Sequence, residues 1–172
     1  MILKAFKEKS NQKYINSVLN SRQVAVTNKR IESVGVILSL KEFGDFDAFR
    51  NFLIDLHILS PKINIIAFVD DDKNIEKLWD TYFNPKDFGW NGAIKNIELQ
   101  SFIDKNFDAL ICFYKQNTLE LDLVTALSKA NFKIGLSNKD HRLFDLILDI
   151  EPRQFELFKT ELKKYLTVLN KI

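Results

Sequence analysis

The residues able to do chemistry in this chain are scattered, and none falls in a spacing that dictates a reaction. His57, His141 and Cys112 are the only histidines and cysteine. His141 sits in SNKDHR beside Asp140, but no Ser or Cys stands at a recognisable nucleophile elbow, so a hydrolase triad has no support. Paired-His, HExxH and CxxC spacings do not occur, and one cysteine excludes an internal disulfide framework or a multi-cysteine zinc site. Cys112 lies inside an apolar run, where a small buried thiol is expected rather than a nucleophile. His57 lies on an apolar helix and is expected to be a partly buried structural histidine. The run Asp70-Asp71-Asp72 could hold a hard cation through its carboxylates. It equally suits the first turn of a helix, whose positive dipole end favours acidic residues, and that reading is preferred. No cofactor is expected. GxGxxG and GxxxxGK[ST] are absent, and the first candidate loop offers only Gly44 between Phe43 and Asp45. A phospho-acceptor site would need several acidic residues after the first strand, where Glu42 stands alone.

The elements that must position these residues are easier to read. SVGVILSL (33–40) and INIIAFV (63–69) are short, nearly continuous apolar runs, as in strands buried on both faces. The stretch from Phe107 to Ile150 reads as strand 107–114, helix 118–130, strand 132–136 and strand 144–150. Asp45 caps a helix over 45–59 with Phe46, Phe49, Phe52, Leu53 and Leu56 at helical spacing. Further helices are expected at 75–82, at 97–104 and after Glu151-Pro152, with a short strand at 93–96. Strands alternating with helices predict an α/β, three-layer Rossmann-like fold. The sheet should be mostly parallel, of five to six strands in the order 3-2-1-4-5, with helices on both faces. Only about seven residues separate the last two strands and parallel crossovers usually need a dozen, so strand 144–150 is expected to be an antiparallel edge.

In open parallel sheets ligands bind outside the carboxyl ends of the strands, where strand order reverses. That rule selects Lys41 and Glu42 after the first strand, Asp70 and Asp71 after the second, Lys115, Gln116 and Asn117 after the fourth, and Ser137 and Asn138 after the fifth. The candidate crevice lies between the loops after strands one and four.

Size and charge bound the alternatives. A chain of 172 residues, 46% hydrophobic and 28% charged, with 15 Phe, can bury a core rich in aromatic rings. Its formal charge of +2 is uneven: residues 1–30 hold seven basic residues against Glu8 alone, net +6, and the rest is −4. The chain therefore divides into a basic helical arm, 1–30, and one α/β domain, 31–172. In the arm Ile2, Leu3, Phe6, Tyr14, Ile15, Val18 and Leu19 give an interrupted helical spacing. Two short helices, or one helix docked by its second half, would both produce it. Lys4, Lys7, Lys9 and Lys13 could meet a protein partner or, weakly, nucleic acid or another anionic surface. The bland alternative lays the basic helix on its own acidic domain. Trp90, with Trp79, Tyr82 and Phe88 around the 84–92 loop, is a second candidate contact or else covers a sheet edge. No signal-peptide or membrane-spanning run appears, so a cytoplasmic protein is expected.

WDTYFNPKDFGWNG, LVTALSKANFKIGLS and the closing ELKKYLTVLNKI resemble an uncharacterised family of small bacterial cytoplasmic proteins common in Flavobacteria and other Bacteroidota. The resemblance runs over nearly the whole chain and implies no activity or catalytic residue. FDALICFYKQNTLELDLVTALSKANFKIGL is similar to a strand–helix–strand of heptosyltransferase-like glycosyltransferases, with Asp108, Ala126, Ala130, Lys133 and Gly135 as the matching positions. Two functions follow. The favoured one is a non-catalytic module for binding a protein or other macromolecule. The alternative is a protein that binds a small molecule, nucleotide or nucleotide sugar in the strand-end crevice, with a glycosyltransferase-like relic as one form of it.

Overall fold

A computed structural model describes residues 1–70, 81–136 and 139–172. Six strands form its sheet: β1 (Val34–Ser39), β2 (Ile63–Phe68), β3 (Tyr82–Phe83), β4 (Ala109–Phe113), β5 (Phe132–Gly135) and β6 (Leu146–Ile147). Their order is β3-β2-β1-β4-β5-β6, and every pairing is parallel. The helices are α1 (Ile2–Asn20), α2 (Phe46–Asp55), α3 (Ile97–Asp104), α4 (Leu119–Leu127) and α5 (Phe155–Val168). This is the Rossmann-like α/β class that the alternating pattern predicts.

The two faces of the sheet follow from the two-residue period of a strand. Val34, Val36 and Leu38 of β1 share one core with Ile63, Ile65, Ile111 and Phe113, and α2 and α5 cover it with Phe49, Phe52, Leu53, Phe158 and Leu162. Ile37, Ile66, Phe68, Leu110 and Cys112 face the other way, onto Ile15 and Leu19 of α1, Phe102 and Ile103 of α3, and Leu121 and Val124 of α4. The first core is a phenylalanine cluster: Phe113 lies 5.2 Å from Phe49 and 4.6 Å from Phe158, ring centre to ring centre, both edge-on. Those geometries suit the ring quadrupole. Caps set the helix starts. Asp45 accepts from Ala48 N at 2.9 Å, Asn96 from the amides of Glu98 and Leu99, and Thr118 from Leu121 N.

Several expectations need correction. The edge strand is parallel, not antiparallel, with Ile134 opposite Leu146 and Gly135 opposite Ile147. Residues 136–145 suffice for the crossover because β6 is only two residues long. A 3₁₀ turn at His141–Leu143 replaces the usual helix, and Leu143 and Phe144 are buried in the second core. Gly135 lets this connection pass close by, since a Cβ there would lie 2.5 Å from the Phe144 ring. The third strand is Tyr82–Phe83, not 93–96, where Ile94 forms only an isolated antiparallel bridge to Phe88. The helix expected at 75–82 lies outside the described residues except for its end, and Tyr82 is in a strand. α5 opens at Phe155, three residues after Pro152.

α2 stops at Asp55. His57 is exposed, not partly buried, and takes the left-handed conformation with φ +67°. Its amide donates to Ile54 O at 2.8 Å and that of Ile58 to Leu53 O at 3.1 Å, the paired bonds of a Schellman C-cap.

Candidate functional site

The crevice between the loops after β1 and β4 sits at the switch point of strand order, and the chain's own carboxylate occupies it. Glu42 accepts from the backbone amides of Lys115 at 2.9 Å and Gln116 at 3.1 Å. Two adjacent amides of this kind form an anion-holding concavity. Here Glu42 takes the position a ligand's anionic group would need. The Lys115 ammonium turns to Asp149, with Glu151 at 3.9 Å. Asn117 donates to Asp122 at 2.5 Å. Burial raises the Asp122 pKa against the lowering effect of that bond. Lys41 and Asp70 are exposed at the rim. Glu42, Lys115, Gln116 and Asn117 are thus brought together as a self-satisfied loop contact. Asp71, Ser137 and Asn138 lie outside the described residues, as do Asp72 and Trp79.

The positions shared with the glycosyltransferase segment have local duties. Asp108 accepts from the amides of Glu32 and Ser33 and from the Ser33 hydroxyl, all within 3.0 Å. Burial opposes its ionisation, but these bonds prevail and hold its pKa below the usual carboxylate value. Ala126 and Ala130 are buried. Lys133 is buried at 3% exposure, and its ammonium donates to the carbonyls of Thr125 at 2.7 Å and Ala126 at 3.4 Å, at the end of α4. Desolvation, then the Arg22 charge, lowers its pKa to about 8.

Cys112 is buried, as expected, and shares the Thr125 hydroxyl with Tyr114 at 3.3 and 2.8 Å. Burial pushes the thiol up to about 12, so it is protonated and a poor nucleophile near neutrality.

α1 is one helix, docked by its second half. Asn11 is buried; its side chain donates to Gly89 O at 3.0 Å and accepts from Gly92 N at 2.9 Å. Tyr14 packs over Gly92, where φ is +74° and a Cβ would lie 2.2 Å from the ring. Ile15 and Leu19 enter the core against α4. Ser10 bonds to Asn91, which brings the half-exposed Trp90 beside the middle of the helix. Phe88, by contrast, is buried. Ile2, Leu3 and Phe6 point outward at 73%, 75% and 58% exposure. Lys4 pairs loosely with Glu8 at 3.9 Å. Lys9 and Lys13 are exposed and Lys7 half-buried, with no carboxylate in ion-pair contact among the described residues.

A cavity of about 730 Å³ opens elsewhere, between the carboxyl end of α1, residues 24–28, the β6 edge and the end of α5. Arg22, Arg142 and Lys171 line it. No local pattern in the sequence marks it, because its polar groups come from segments more than 120 residues apart, with no motif linking them.

Among the described residues no group of three or more His, Cys, Asp or Glu could hold a metal, and no helix is long and apolar enough to cross a membrane. A model of a family of unknown function (DUF6913) matches residues 7–169, and the chain belongs to that family. No curated protein and no solved structure matches it.

Proposed function

We propose that this DUF6913 protein is a non-catalytic interaction module that presents the outward face of α1 to an acidic protein partner. The composition of that face carries the reading. Residues 2, 6, 9 and 13 share one side of a helix, so the exposed Ile2 and Phe6, with Leu3 beside them, are followed on the same side by Lys9 and Lys13. Apolar anchors within one helical turn suit a groove that receives a helix. The lysines beyond them suit acidic residues on the rim of that groove, where charge sets orientation and association rate. A helix lying on a lipid surface would need its apolar stripe to run on, and this one stops at Phe6. The crevice supports the same conclusion from the other side, since Glu42 already occupies its two amide donors.

A photo-crosslinking residue in place of Phe6 tests the proposal in the native host. A discrete adduct with one acidic protein is expected, lost when Lys9 and Lys13 are changed to Glu, and absent when the crosslinker replaces Ile97, which is more exposed than Phe6. Vesicle or RNA binding at physiological salt with no protein adduct would overturn the proposal.

A further inference from the structure

We propose that the 730 Å³ cavity at the β6 edge binds a single-chain fatty acid, its carboxylate against the Lys171 ammonium and its hydrocarbon body along the apolar wall. The site is separate from the contact surface proposed above, about 25 Å along α1 from Ile2 at 1.5 Å per residue. The volume falls within the range of small-molecule sites.

The charges identify the headgroup. Three cations and one carboxylate line the cavity. Arg22 is neutralised by Asp145 at 2.8 Å, and Arg142 by Asp140 at 2.7 Å. Lys171 has no such partner. It is only 5% exposed, yet its ammonium meets carbonyl oxygens alone, those of Thr27 and, at 3.4 Å, Lys29, with the Phe132 ring centre 5.7 Å away. No carboxylate is in ion-pair contact with it among the described residues. A buried charge calls for a counter-charge. An ammonium has three donors, and the two carbonyls leave one for a ligand. One uncompensated cation fits a monoanion rather than a phosphate or a nucleotide.

The walls identify the body. Val24, Val26, Tyr165 and Leu169 are four of the protein's exposed large hydrophobic residues, at 73%, 38%, 39% and 45%, and all four converge on this cavity above Phe144 and Leu146. An aliphatic chain would cover them. Thr27, Asn28 and His141 also line the cavity, but a sugar or a nucleoside would leave these four apolar side chains facing water.

The test is isothermal titration and amide chemical-shift mapping of the whole protein with decanoate, decanol and decyltrimethylammonium. Decanoate should saturate a single site, with shifts centred on residues 24–28, 141–146 and 165–171. Decanol should bind at least tenfold more weakly, and the cation not measurably. Lys171→Gln should weaken decanoate at least tenfold and leave decanol unchanged. Val26→Trp should fill the cavity and weaken both. Should Lys171→Gln fail to fold, the comparison of the three head groups on the wild type and Val26→Trp decide. Equal binding of decanoate and the decyl cation, shifts centred elsewhere, or no saturable decanoate binding would overturn the proposal.

Discussion

Replacing Asn11 with Ala should destabilise the whole domain, although the residue lies on a helix whose first half is exposed. Asn11 satisfies two buried backbone groups at once, the Gly89 carbonyl and the Gly92 amide. Ala leaves both without a partner, and each unsatisfied buried group costs about 1–3 kcal/mol. A loss of about 3 kcal/mol is therefore expected. That is a large share of the roughly 5–15 kcal/mol of a typical domain. At about 2–4 °C per kcal/mol for a chain of this size, the melting temperature should fall by about 6–12 °C. Urea unfolding followed by circular dichroism gives the free energy and the slope m together. The slope should stay unchanged, because the same surface is exposed when the domain unfolds as one unit. Lys9→Ala, on the same helix but in solvent, should lie within about 0.5 kcal/mol of the wild type. A change below about 0.5 kcal/mol for Asn11→Ala would refute the argument that this side chain docks α1. A clearly lower m would instead mark residues 1–30 as an arm that opens independently of the α/β domain.

Two further outcomes are expected. The Lys133 pKa is lowered from 10.5 to about 8, so between those values the unfolded chain binds more protons and stability rises with pH. The cost of the buried charge is fully present below pH 8 and relieved by pH 10.5. The stability difference between wild type and Lys133→Met should therefore move in the wild type's favour by up to about 1.4 kcal/mol per pH unit in that window. Taking the difference cancels the titration of Cys112 and Tyr114, and a flat difference would refute the assignment. Separately, His57→Gly should raise stability by about 1 kcal/mol in a urea titration, since glycine takes the left-handed C-cap conformation without a Cβ penalty. Destabilisation would mean that the imidazole makes a contact outweighing that strain.

What the chain declares by itself is whatever its local pattern can encode. The apolar runs of β1, β2 and β4 can be satisfied only by burial on both faces, which implies a parallel sheet between helical layers. Asp45, Asn96 and Thr118 mark their helix starts within three residues of the groups they cap. The third strand escapes that logic, because Tyr82–Phe83 is too short to show a period. So does the direction of β6, which depends on Asp145 reaching the Lys133 amide at 2.8 Å and on Phe144 packing over a glycine. The candidate crevice was legible as a place in the topology, since Glu42 and Lys115 lie where strand order reverses. That Glu42 would fill it was not, because that contact joins residues 73 apart in the chain. The buried ammonium of Lys171, meeting the Thr27 carbonyl across 144 residues, is further still from any local signal. Periodicity and capping act within a few residues and can be read from them. Which charge is left without a counter-charge depends on long-range packing, and only the tertiary structure decided it.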